Sequence, residues 1–449
     1  MRTRSILARL VLIPVLAGSS SLAAEPVEGA WPQWRGPGGS GIAAGSELPL
    51  DWGLDRNLRW KTAIEGRGHS SPVVWGDRVF LTTAIQGAEI PGASVSVHTI
   101  GGEEFKHPQS MGSEFSHTLK VLGIDVATGE IVWSRTAYEG RVFDDRHQAA
   151  SYAAPMVATD GQSVFAYFGS EGIYAYTVGG DQLWSKDLGD IATVGVGLGT
   201  SPVLYEDLVI IQADEDMGEH SFIVALDKRS GSEVWRVARA VQASWATPVL
   251  ATGADGRVHM VTSGNDLIVS YDPATGEEIW RAKGLESNAL HQPLSSGDNV
   301  IITTGYPIKV IKAFPLSSRG DVTDREVATW SYSKGTGYVP SNLLYDGHLY
   351  LTNDGGVITC LDAATGEVIY EGGRAPDAPG PYMASLVGAG GRILMVNRDG
   401  DATVIKAGRE HEILASTTLD EPVYATPAIA GGRAYIRGEK HLYALGAEM

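Results

Sequence analysis

The sequence predicts an all-β, eight-bladed β-propeller of four-stranded antiparallel blades, closed by an N-terminal strand. Three observations lead there. A strand-start pattern occurs eight times between His69 and the C-terminus. Eight short Gly/Asp turns follow those starts. The last unit lacks a strand that reappears near the other end of the chain.

Each start is a small residue and a proline before an apolar run: Pro72, Pro155, Pro202, Pro248, Pro293, Pro340 and Pro427, with Ser385 in proline's place in the seventh unit. Over the middle units the prolines lie 45–47 residues apart, room for four short strands. The turns are Gly76-Asp77, Asp160-Gly161, Glu206-Asp207, Asp255-Gly256, Gly297-Asp298, Asp346-Gly347, Gly390-Gly391 and Gly431-Gly432. Such pairs supply the positive φ angles of tight hairpins. The runs between them, such as Val79-Phe80-Leu81 and Val209-Ile210-Ile211, are β-branched or aromatic.

A further turn recurs as Asp125-Val126-Ala127-Thr128-Gly129-Glu130, again from Asp272 and Asp362, with a variant from Asp227. Asp there can accept backbone N–H bonds and Gly can take the left-handed position, so these carboxylates read as turn chemistry. Trp133, Trp184, Trp235, Trp280, Trp330 and Tyr370 follow, placed to cover a neighbouring blade. The last unit stops at His441–Leu445 where a third strand belongs, and Asn57–Lys61 supplies the missing outer strand. Closing the sheet into a ring leaves no exposed end.

The net charge of −18 argues against nucleic acid as a partner. Arg2, Arg4 and Arg9, an apolar stretch over 10–17 and Ser21-Leu22-Ala23-Ala24 read as a cleavable signal over 1–24, so export to the periplasm or beyond is expected. Residues 25–449 then form one propeller domain, expected to be monomeric, with a latch over about 31–61 and no transmembrane segment. Cys360, the single cysteine, reads as a strand residue and leaves no lipidation site after the signal.

The repeats resemble the pyrroloquinoline-quinone (PQQ)-like propeller repeats, a resemblance covering about residues 31–446. The start Trp31-Pro32-Gln33-Trp34-Arg35-Gly36-Pro37 is similar to that of many exported bacterial proteins with these repeats. Two groups share the fold: quinoprotein alcohol dehydrogenases and an outer-membrane lipoprotein that assists β-barrel assembly. The first implies a planar quinone across the channel mouth, a tryptophan stacked on it and a calcium ion held by a carboxylate and an amide. The positions it would use here are Glu171, Trp245 and Asn265. A vicinal cysteine pair and a Cys-x-x-Cys-His haem site, both features of that group, are missing.

In an up-and-down blade the connections into the first strand and between the second and third share one face. His69, Tyr152, Trp245, His291, Tyr338, Tyr382 and Tyr424 precede first strands. Glu171, Asn265, Asp354, Arg398 and Arg437 lie in or beside second-to-third connections. Aromatic and polar groups converging on a channel mouth suit a flat or sugar-like ligand, and equally a plugged or solvated rim. An insertion of roughly 37 residues, between about 83 and 120, falls on the same face with His98, His107 and His117. It suggests a lid or partner loop; a metal there is left open. The expected role is a ligand-binding or protein-interaction scaffold of the cell envelope, with no cofactor. The alternative is an enzyme at the mouth, either a PQQ/calcium-dependent alcohol or sugar dehydrogenase or a carbohydrate-active propeller. The partner would be an envelope protein, a small molecule or a carbohydrate.

Overall fold

The computed structural model describes residues 29–375 and 378–446, so the signal read over 1–24 lies outside the described residues. Eight sheets are built on the inner strands Val73–Trp75, Ala158–Thr159, Val203–Tyr205, Val249–Thr252, Leu294–Ser296, Leu343–Tyr345, Val387–Ala389 and Ala428–Ala430. Each continues outward through three more antiparallel strands. In blade eight the fourth strand is Leu58–Ala63, which pairs antiparallel with His441–Leu445. The ring closes as its sequence predicts.

The prolines prove less regular than the fold. Pro72, Pro202, Pro248, Pro293 and Pro427 sit one residue before their strands, but Pro155 and Pro340 sit three before. In blade seven Leu386 holds the proline's place and Ser385 the place before it. What recurs is a hydroxyl two residues ahead of the strand. The Met156, Ser201, Gln292, Ser341 and Ser385 N–H groups donate to Ser201, Thr247, Ser341, Ser385 and Thr426 in turn, at 2.9–3.1 Å. The small residue of the start pattern is a blade-to-blade hydrogen-bond acceptor.

The Asp turns do the local work expected of them. Asp125 Oδ1 accepts the N–H groups of Ala127 and Thr128, at 3.0 and 2.9 Å. Their glycines carry a second duty. The indole N–H of Trp60 reaches the Val126 carbonyl of the next blade at 2.9 Å, and Trp133, Trp184, Trp235 and Trp330 repeat the contact. Each ring lies on the turn glycine: a Cβ on Gly129 would come within 2.5 Å of Trp60. Blade five has no such turn, and Trp280 is instead fully buried with Leu316 and Val322.

The latch does more than close the ring. Trp31 pairs with Val74 of blade one, and Pro32 accepts the Thr159 N–H of blade two. Gly39 approaches Gln292 of blade five, and Arg35 donates to the Asn342 carbonyl of blade six at 2.7 Å. Ile42 bridges Gly388 of blade seven. Inner strands line the channel of a propeller, so residues 31–42 lie across it, with Trp31 and Arg35 fully buried.

Gly129→Ala places a Cβ into the Trp60 ring from a backbone at φ 75°. It is expected to cost about 1–3 kcal/mol, read from the denaturant midpoint. In a Trp60→Ala background most of the steric part of that cost should vanish.

Candidate functional site

Much of the insertion is strand. Arg78–Glu89 and Phe115–Asp125 extend as one long hairpin and absorb its ends. His98–Ile100 and Glu103–Phe105 form a small hairpin, and Ser110–Met111 pairs with Arg146–His147 at the start of blade two. The insertion thus lies over the rim of blades one to three.

One imidazole fixes it there. His98 Nδ1 is 2.6 Å from Asp216 Oδ2 of blade three, and Nε2 is 3.1 Å from Asp144 Oδ1 of the blade one–two connection. Asp144 also accepts the Thr193 N–H at 2.7 Å. Asp145 accepts the Ser96 and Ser113 N–H groups at 2.7 and 2.8 Å. The two carboxylates push the His98 pKa up to about 10 against the cost of burial. Asp144 thus orients the His98 imidazole, whereas His147 Nε2 lies 2.8 Å from Gln109 Oε1. The other insertion histidines go elsewhere: the His107 ring lies 5.7 Å from His147 and that of His117 lies 4.6 Å from Tyr152. Among the described residues no group of three or more His, Cys, Asp or Glu side chains is arranged to hold a metal ion.

Beside this clamp is a narrow cleft lined by Asp144, Tyr152, Phe168, Glu171, Thr193 and Leu198 among others. Tyr152 donates to the Asp144 carbonyl at 3.0 Å. Glu171 ends a short 3-10 turn, Gly169–Glu171, and its Oε1 accepts the Phe143 N–H at 2.8 Å. Burial, with a smaller push from Asp144 and Asp190, lifts the Glu171 carboxyl to about 7. A carboxyl poised near neutrality in a cleft can hold or release a proton. Trp245 borders the cleft loop, its indole N–H donating to the Gly197 carbonyl at 2.7 Å.

The structure therefore places Tyr152 and Glu171 in one cleft with Trp245 at its margin. Asn265 is apart, its amide 3.3 Å from Gln242. Tyr338 and Asp354 are joined by the Tyr338 N–H on the Asp354 carboxylate at 2.6 Å. Arg398 is half-exposed beside Asp399. His291 and Tyr382 are buried, His291 Nε2 3.1 Å from the Gly337 carbonyl and the Tyr382 hydroxyl 2.8 Å from the Ala378 carbonyl. His69 and Tyr424 stack at 4.5 Å, near the buried Arg437. Sequence reasoning passed over Thr193–Leu198, which walls the cleft between blades two and three. Its only signal is the wide gap between Trp184 and Pro202.

Two pH responses follow from two raised pKa values. His98 is raised above the ordinary imidazole value, so its contribution is complete below about pH 6.5 and lost as pH rises through about 10. Proteolytic nicking within residues 90–114 should increase from pH 6 to pH 10, and His98→Gln should nick readily at both. Glu171 is also raised, but here the folded state disfavours ionisation, so stability falls as pH rises from about 4.5 past 7. Glu171→Gln should raise stability at pH 8 by roughly 1–3 kcal/mol and change it little at pH 4, read by denaturant titration.

Comparison with known proteins follows the same lines. A family model described as "Outer membrane protein assembly factor BamB" matches residues 86–219 and 219–337. No curated protein matches the sequence. Among solved structures, the quinohemoprotein alcohol dehydrogenase from Comamonas testosteroni superposes with a TM-score of 0.63 at 12% identity, over 95% of this chain and 82% of that one. A europium-containing methanol dehydrogenase gives 0.64 at 11% identity, over 94% and 91%. BamB from Moraxella catarrhalis gives 0.54 at 16% identity, over 82% and 98%. Identities this low show a shared fold.

Proposed function

Because this chain belongs to the PQQ-like repeat family described as outer membrane protein assembly factor BamB, we propose that it is an exported interaction scaffold of the cell envelope, binding through the rim of blades one to three. The observation that carries this reading is the clamp of His98 between Asp144 and Asp216. It holds an inserted hairpin rigidly over the rim, and exposed apolar residues flank each member. Val97, Phe143 and Met217 are 58%, 45% and 38% exposed, each one residue from a clamp partner. An exposed apolar group at a rigid rim favours recognition of another surface. Export rests on the signal read over residues 1–24.

A second reading, a carbohydrate-active site, draws on Glu171: a near-neutral carboxyl beside Tyr152 suits acid–base work on a sugar. The quinone reading has less support. Calcium wants several oxygen donors at one point, whereas Glu171 is engaged by the Phe143 N–H and Asn265 faces Gln242. These residues do not fit a quinone–calcium pair.

A photo-crosslinking amino acid at Phe143 or Met217 should capture discrete envelope proteins in living cells, while Leu183 and Val234, on outer strands, should not. Equal capture from all four positions, or fractionation of the protein with the cytoplasm, would overturn the scaffold reading. Hydrolysis of a glycan that Glu171→Gln abolishes would replace it with the second.

A further inference from the structure

We propose a second site, an oxyanion-binding site on the channel-mouth face where blades eight, one and two meet, formed by Arg437, Arg67, Arg146 and His69. It is independent of the rim scaffold and of the Glu171 cleft.

Arg437 is the centre of this site. It ends the second strand of blade eight, Arg433–Arg437, and is only 1% exposed. Its Nε, Nη1 and Nη2 are all buried without a hydrogen-bond partner among the described residues. A buried guanidinium left unpaired is costly, and proteins ordinarily pair such groups. The surroundings deepen the imbalance. Arg67 and Arg146 both donate to the Gln148 carbonyl, at 2.8 and 3.4 Å, and Arg146 also to the His147 carbonyl at 3.2 Å, so two further guanidinium groups converge on neighbouring backbone carbonyls. Arg67 Nε is also buried without a partner, as is His69 Nε2. Arg67 lies 6.0 Å from the Tyr424 ring that stacks on His69, and Arg146 lies 5.6 Å from the Tyr152 ring.

The nearby carboxylates act on these arginines through their charge but make their hydrogen bonds elsewhere. Glu421 accepts the Lys440 and His441 N–H groups, both at 2.9 Å. Asp145 accepts those of Ser96 and Ser113, and Glu114 that of Gly112 at 2.7 Å. In a chain of net charge −18, three arginines gather with no acid paired to Arg437. Burial and then Arg67, Arg146 and Arg437 drive the His69 pKa down to about 3, which leaves the imidazole neutral.

Arg35, another fully buried arginine, gives the contrast. Arg35 also has two unpartnered nitrogens, but Gln292 Oε1 and Asn342 Oδ1, unpartnered acceptors, belong to the residues packed near it. Water can serve donors and acceptors together. Around Arg437 the surplus is of guanidinium donors. That surplus matches a group that only accepts, a carboxylate or a phosphate, and guanidinium is well shaped for both.

The test is calorimetric and thermal titration of the intact protein with inorganic phosphate and with succinate, against sodium chloride of equal ionic strength. At least one should bind saturably and raise Tm beyond the chloride control. Phosphate alone would assign a phosphoryl ligand, succinate alone a carboxylate, and both an oxyanion site of either kind. Arg437→Met should abolish the saturable response while leaving the ligand-free Tm unchanged or higher, because it removes an unpaired buried charge. Arg67→Gln, partly exposed and tolerant of change, should weaken binding at least tenfold. Saturable binding by neither probe, or binding that survives Arg437→Met or Arg67→Gln unchanged, overturns the proposal.

Discussion

The pairing of Leu58–Ala63 with His441–Leu445 is the interaction on which the rest depends. A linear array of eight sheets would expose an apolar face at each end. Closing it through two segments nearly 400 residues apart in sequence gives every blade two neighbours. The repeated devices become useful only then. Five outer tryptophans lie on the turn glycine of the next blade, and for Trp60, which belongs to the closing strand, that glycine is Gly129. The start hydroxyls likewise need a preceding blade whose N–H they can accept.

Closure also sets where chemistry can sit. Residues 31–42 lie across the channel and meet its inner strands, so its filling is part of the fold. Functional variety is left to the mouth where the first-strand starts and second-to-third connections emerge. There the regular blades stop dictating structure. The insertion, the Thr193–Leu198 loop and the Arg437 quadrant are set by side-chain charge and burial rather than by the repeat.

This division explains what the sequence made legible. Blade count, turn positions and closure were readable because each is an i-to-neighbour rule repeated eight times, and repetition exposes a weak signal. The exact role of the start residue was not, since proline is conspicuous in sequence while the working group is the hydroxyl beside it. Of the rim residues, Tyr152 and Glu171 meet in one cleft, yet the sequence could not show that His98 would join Asp144 to Asp216 across 118 residues. Nor did anything mark Arg437 as unpaired, because pairing is a property of the whole neighbourhood. Arg67 and Arg146 lie 79 residues apart and reach one carbonyl only in the folded ring.

Two buried arginines sharpen the last step. Arg239 is fully buried, but Asp214 meets it at 2.7 Å, Thr262 and Tyr271 take further N–H groups, and Ser244 and Gln212 complete the carboxylate. That is what this fold provides when a buried charge is structural: Nε, Nη1 and Nη2 of the Arg239 guanidinium are all answered within two adjacent blades. Arg437, at the end of the second strand of blade eight, has none of this provision. The comparison is internal to one molecule and so independent of any relative. The same chain that builds a complete counter-network for one buried guanidinium leaves another open beside two more, and an external acceptor is the counterpart that Arg437 lacks.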